Sequence, residues 1–423
     1  MGSFAIPLSG LNAAQSALQT ISNNLANSNT TGFKGSSLDF SGLFAASSAV
    51  NGSGDPIQTG TGVTVAASDI DFTQGDASAT GASANMDIQG AGFFVTQDAN
   101  GNTAYTRAGD FSANSKGQLT TPSGELVLGY PASAGVIDTT GALAPIEVGN
   151  ATSLAVPTSS FGVTANLDAS ATPGTIATSS LAVFDSLGGT HNLTITYTNT
   201  APGSWDYNIT VPNSDLSTGG TGSTQVGSGS VNFDSSGKLV MAGTPPATSF
   251  PVVIPPAATP MVTFANGAAP LSMQWEVDDA SGNPTLTQTA ATSGTSATSQ
   301  NGFASGTLST YSVLPDGTVE GVFTSGQSKP IAQVALANFA NIQGLVSTGN
   351  SNYQASNASG QATIGTAGTG GRGTIVGGSI ELSNVNIATE FADLIVAQQA
   401  YSANAKSVTT LQQVSQATLA MLQ

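Results

Sequence analysis

The 423-residue sequence predicts an α+β multidomain protein: N- and C-terminal α-helices that pair like a coiled coil, with two mainly antiparallel β domains between them in the chain. Three observations predict it. Apolar residues recur at steps of three and four at both chain ends. The middle is built of short alternating runs broken by Gly, Asn and Pro turns about every ten residues. The ends are almost free of charge, with none in residues 1–33 and only Lys406 in 394–423.

The first helix is read from Phe4, Leu8, Leu11, Ala14, Leu18, Ile21 and Leu25, an amphipathic stripe. Pro7 is tolerated in a first turn, and Asn27 to Gly32 supply the stop. Residues 42–62 read as a connector. Strand-like runs follow at Gly92 to Thr96, Leu126 to Tyr130, Leu193 to Tyr197, Ser230 to Phe233 and Leu239 to Met241. A Pro- and Ala-rich patch from Ala242 to Pro260 reads as loops or strand edges, and Gly365 to Gly378 as a flexible hinge. The last helix can be capped by Asn386 or Thr389, with Glu390 and Asp393 in its first turns. Its stripe is Ile387, Phe391, Leu394, Tyr401, Val408, Leu411, Val414 and Met421.

Helices that face water usually carry Lys and Glu outside their apolar stripe. These carry Ser, Asn, Gln, Thr and Ala, which suits helices packed on several sides by uncharged neighbours. Such burial comes from pairing the two ends or from assembly; the alternative is two disordered termini, since short isolated helices are marginal.

Composition excludes several functions. There is no Cys, hence no disulfide or thiolate metal site. Only 7% of residues are charged, against roughly 25% in ordinary soluble chains. The net charge of −17 and seven scattered cations argue against nucleic acid. No apolar run is long enough to span a bilayer, and the start has no signal-peptide pattern, so an exported chain would need another route. His191 stands at the start of a strand with no nucleophile in sight. Asp69, Asp71 and Asp76 resemble a calcium loop too loosely to hold the ion. Gly90 and Gly92 read as a tight turn rather than a phosphate loop. No pattern points to an active site, a metal or a cofactor.

Asn23, Asn24, Leu25, Ala26 and Asn27, followed by Thr31, Gly32, Phe33 and Lys34, resemble the N-terminal signature of the flagellar rod and hook family of axial proteins. Gly90, Gly92, Phe93 and Phe94, then Arg107, Gly109 and Phe111, fit the same family, as do Leu382 to Asn386 and Ala397 to Lys406. The insert at about 148–302, with Val183 to Thr194, resembles the outer domain of hook-type members rather than the shorter rod type. A secreted β-rich adhesin or surface-layer protein shares the composition but not the uncharged paired ends.

The resemblance implies a non-enzymatic subunit that self-assembles into a hollow, bendable tube outside the cell. It implies terminal helices at 1–30 and 385–423, linking segments at 31–74 and 358–384, an inner β domain at 75–147 and 303–357, and an outer one at 148–302. The assembly helices would bury Leu11, Leu18, Ile21, Leu25, Phe391, Leu394, Tyr401, Val408 and Leu411. The implied partners are further copies, a distal rod protein, a hook cap, hook-filament junction proteins and the flagellar type III export apparatus.

Overall fold

The computed structural model describes residues 4–43, 46–50, 56–133, 135–217, 219–240, 249–254, 263–279 and 281–421. Met241, most of the Ala242 to Pro260 patch and parts of the 42–62 connector lie outside the described residues. The chain divides into two units: residues 1–150, 310–321 and 329–423 form one, and residues 151–309 and 322–328 the other.

The first unit holds both helices, α1 (Ala5–Ala26) and α2 (Ile387–Ala420), which pack on each other. Asn386 caps α2: its side chain accepts from the backbone N–H groups of Ala388 and Thr389, satisfying two donors that the first turn leaves open. α1 ends after Ala26, where the backbone N–H groups of Asn27 and Ser28 donate back to carbonyls of the last turn.

Beside α1 lies an antiparallel ribbon, Ser36–Gly42 with Val63–Ile70. The main sheet of this unit runs Ser328–Asn338, Leu126–Ser133, Phe93–Gln97, Thr103–Thr106, Asn352–Gln354 and Val346–Gly349, every neighbour antiparallel. Phe93, Val95, Tyr105, Tyr130, Phe339 and Tyr353 belong to its largely aromatic core, with Tyr105 and Phe339 edge to face at 4.8 Å.

Two connectors expected from sequence turn out to be strands. Thr363–Thr366 pairs with Ser328–Asn338, and Thr374–Gly377 with Met86–Gln89. Between them Arg372 donates to the Thr366 carbonyl (3.0 Å) and Thr369 Oγ1 (2.9 Å), so the glycine-rich segment is a tied turn rather than a hinge. Within 42–62, Ala46–Val50 pairs with Pro56–Thr59. Gly content signals chain freedom, but ladder hydrogen bonds need no side chains and override it.

Among the described residues the second unit is built of strands apart from one short 3-10 turn, Asn213–Asp215. Ile176–Phe184, Thr190–Ala201, Ser204–Pro212, Ser223–Phe233 and Leu239–Val240 form an antiparallel meander. Thr190–Ala201 buries every second residue, the period of a half-buried strand. The other sheet departs from the antiparallel expectation. Ser160–Asp168 runs parallel to Leu271–Glu276 and Leu286–Thr289, and antiparallel to Gly294–Gln300. Both sheets contribute to one core, in which Phe161, Tyr197, Trp205, Phe264 and Trp275 are fully enclosed.

One turn design recurs in both units. Asp98, Asn114, Asp185, Asp234 and Asp279 each accept from the backbone N–H groups two and four residues on. A glycine of positive φ stands three residues on in each.

His191 is buried at one such turn. Its ring nitrogens lie 2.9 Å from Asp185 Oδ2 and 3.1 Å from Asp215 Oδ2, and its ring stacks on Phe264. With both nitrogens facing carboxylates, neither is left for a nucleophile, and the residue ties three loops together. Burial alone would raise the Asp185 carboxyl, but hydrogen bonds from Asn266, His191, Gly189 and Leu187 hold it below the usual range.

Candidate assembly site at the paired chain ends

The α1–α2 contact is close because Gly10 has no side chain. A Cβ there would stand 2.8 Å from Asn404 Oδ1. Leu11, Leu18, Ile21 and Leu25 of α1 are half-buried, as are Leu394, Val408 and Leu411 of α2. Phe391 and Tyr401 differ: they are 50% and 37% exposed. So are Ile395 at 53% and Val396 at 64%, two residues outside the expected stripe.

At the base of the pair, Asn24 joins three segments. Its Nδ2 donates to Glu390 Oε1 of α2 (3.0 Å) and to the Ser36 carbonyl (2.8 Å), and its Oδ1 accepts from Ser36 N. Asn27 donates to the Asn23 carbonyl and accepts from Thr30, closing the helix end. Ala26 is the exposed last residue of α1.

Below this lies a buried charge cluster. Lys34 Nζ meets Glu381 Oε1 at 2.6 Å and the Thr73 carbonyl at 2.6 Å. Glu381 also accepts from Gly75 N and lies 3.4 Å from Arg107 Nη1. Arg107 donates to the Ile88 and Gly90 carbonyls and covers the Phe93 ring at 5.4 Å. Burial pushes the Lys34 ammonium below the usual lysine range, against the pull of Glu381. Burial also raises the nearby Asp87 carboxyl, which Gln89 partly offsets.

The glycines of the motif allow close backbone approach. Gly32 has φ +63° and a Cβ there would collide with the Arg107–Ala108 backbone; one at Gly109 would collide with the Met86 carbonyl. Thr31 offers its carbonyl to Ser351, and Phe33 offers its own to Asn384 N. Gly90 and Gly92, both at positive φ, turn the chain between Met86–Gln89 and Phe93–Gln97. Phe94 packs edge-on against Phe111 at 5.0 Å.

Sequence reasoning missed Glu381, which holds this cluster together. A signal was present: two cations set in apolar, glycine-rich motifs need a carboxylate, and Glu381 is the one acid between Glu320 and Glu390. The cluster is structural in its chemistry, because Lys34, Arg107 and Glu381 each face a fixed protein partner.

Four families match in chain order: "Flagella basal body rod protein" at 6–34, "Flagellar hook protein FlgE/F/G D1 domain" at 87–168, "Flagellar basal body protein FlaE D2 domain" at 150–303 and "Flagellar basal body rod FlgEFG protein C-terminal" at 376–421. Fold and matches together define an axial protein of the bacterial flagellum. The flagellar hook protein FlgE of Salmonella typhimurium is 33% identical, covering 97% of this chain and 98% of that protein. That of Escherichia coli K12 is 32% identical at the same coverage. The chain belongs to the flagellar hook protein FlgE family. Among solved structures, Helicobacter pylori flagellar hook protein FlgE2 matches with a TM-score of 0.47 at 14% identity, over 70% of this chain and 98% of that one.

Proposed function

We propose that this hook subunit polymerises through its paired terminal helices into a hollow, bendable tube that passes torque from rod to filament. The observation that carries it is the exposed apolar side of α2, with Phe391, Ile395 and Val396 at least half exposed on a helix almost without charge. Covering each of these with a neighbour would stabilise a contact by about 1 kcal/mol apiece. Repeated head-to-tail contacts of this kind generate open helical rows.

In this reading Leu11, Leu18, Ile21, Leu25, Leu394, Tyr401, Val408 and Leu411 form the seam of a coiled-coil-like inner layer around a central export channel. Residues 75–147 and 303–357 form the inner β layer, and 148–302 the outer one. The outer layer slides through polar contacts, with few ion pairs to break at each bend. The partners are further copies, the distal rod protein, the hook cap, the junction proteins and the type III export apparatus.

Removing Ala5–Ala26 tests the reading. Electron microscopy should show no polymer, while the β units keep their cooperative unfolding. Polymer in normal yield would refute it.

A further inference from the structure

The two helices are nearly featureless in charge. α1 has no ionised side chain, and α2 carries only Glu390, Asp393 and Lys406. Glu390 is engaged by Asn24 at 3.0 Å. Asp393 and Lys406 are both exposed, and neither side chain has an ion pair or hydrogen bond among the described residues.

They cannot satisfy each other within one chain. They stand thirteen positions apart on one continuous helix, about 20 Å along the axis. At about 100° per residue, their side chains leave the helix about 140° apart. One charge therefore stands on each flank.

We propose that Lys406 of one copy pairs with Asp393 of a second copy, lying parallel beside it and displaced by about 20 Å along the helix axis. This rests on the assembly reading above and adds to it the register of the contact. Opposite flanks suit a heterologous contact, in which one side of a copy meets the other side of the next and the row continues. A two-fold pair would need both charges on one face, and they are not.

The pair supplies what the apolar seam lacks. A surface of Ala, Ser, Thr, Gln and scattered aliphatics packs nearly as well one turn up or down. Shifting the register by one turn would leave a lysine among uncharged helices with no counter-charge, which a packed layer disfavours. A single polar contact in an otherwise apolar helical interface is a known way to choose register.

Two experiments on the full chain test this. The first uses the absence of Cys from the sequence. An Asp393→Cys/Lys406→Cys variant is polymerised, oxidised and run without reductant. A ladder of dimers, trimers and longer chains is expected. Closure within one copy is impossible, because a disulfide needs Cα atoms about 4.4–6.8 Å apart. Polymers visible by electron microscopy but yielding no ladder would overturn the pair and leave assembly standing. Failure of the unaltered chain to polymerise would instead defeat the assembly reading.

The second is a charge exchange, which also decides the matter should the cysteine variant not polymerise. Lys406→Glu should raise the critical concentration for polymerisation about tenfold, and adding Asp393→Lys should return it to within about twofold. Lys406→Glu without effect, or an effect that Asp393→Lys leaves in place, would overturn the pairing.

Discussion

Lys34 and Glu381 stand 347 residues apart in sequence, yet their charged groups meet at 2.6 Å with both side chains wholly buried. One follows α1 and the other precedes α2, so the contact joins the two chain ends where the helices enter the β structure. Glu381→Gln keeps the shape but leaves two buried cations without their shared counter-charge. It should cost about 3–5 kcal/mol, read as a lower urea midpoint of the first unit. Lys34→Met added to it should recover part of the loss, because one of those charges is then gone.

The crossing of α1 and α2 depends on Gly10 facing Asn404. Gly10→Leu gains helix propensity but drives a side chain into α2. The net expected effect is a loss of about 1 kcal/mol and faster amide exchange along both helices. Asn404→Ala in the same chain should reverse most of it, since the obstructing atoms are then absent.

In the second unit Trp205 is fully enclosed. Trp205→Ala should destabilise that unit by about 3–5 kcal/mol and open it to protease. The helical circular dichroism should be unchanged, because α1 and α2 belong to the other unit.

The aspartate turns carry an acid dependence. Asp234 accepts from Ser236 Oγ and from the backbone of Lys238 and Ser236, which hold its carboxyl below the usual range. Its folded pKa lies under its unfolded value, so the turn's contribution is complete above the ordinary aspartate range. It is lost as pH falls through the depressed folded value. The turn aspartates Asp98 and Asp279 act in the same sense. Asp234→Asn retains an acceptor that does not titrate. The protection factor of the Lys238 amide should therefore fall in acid in the unaltered chain and hold in that variant.

Much of the fold was legible, for local reasons. The period of the stripes gave both helices, because a helix repeats its faces every 3.6 residues whatever surrounds it. Asn386 was among the expected caps because an Asn side chain reaches its own helix N-terminus. Alternation gave Leu193 to Tyr197, the middle of Thr190–Ala201, for the same kind of reason. The repeated turn is also written in the chain, as Asp or Asn followed three residues later by Gly.

What escaped was non-local. Gly365 to Gly378 reads as loose chain until Met86–Gln89 and Ser328–Asn338 supply the ladders that hold its ends. The parallel strands around Ser160–Asp168 look like any others in sequence, since direction is settled by which distant segment arrives beside them. The buried place of His191 depends on Asp215 and Phe264, which reach it from other loops.

Two terminal helices nearly free of charge, a β-rich middle and the motifs of an axial protein could be read from the chain alone, because periodicity, charge and turn chemistry act over a few residues. That Glu381 gathers Lys34 and Arg107, that Asn24 bridges α1 to Glu390, and that Phe391, Ile395 and Val396 are exposed came from the folded arrangement. Those outcomes turn on which of many chemically similar residues share a small volume. That is a matter of packing and of pairing every buried charge, which no short stretch of chain can specify alone.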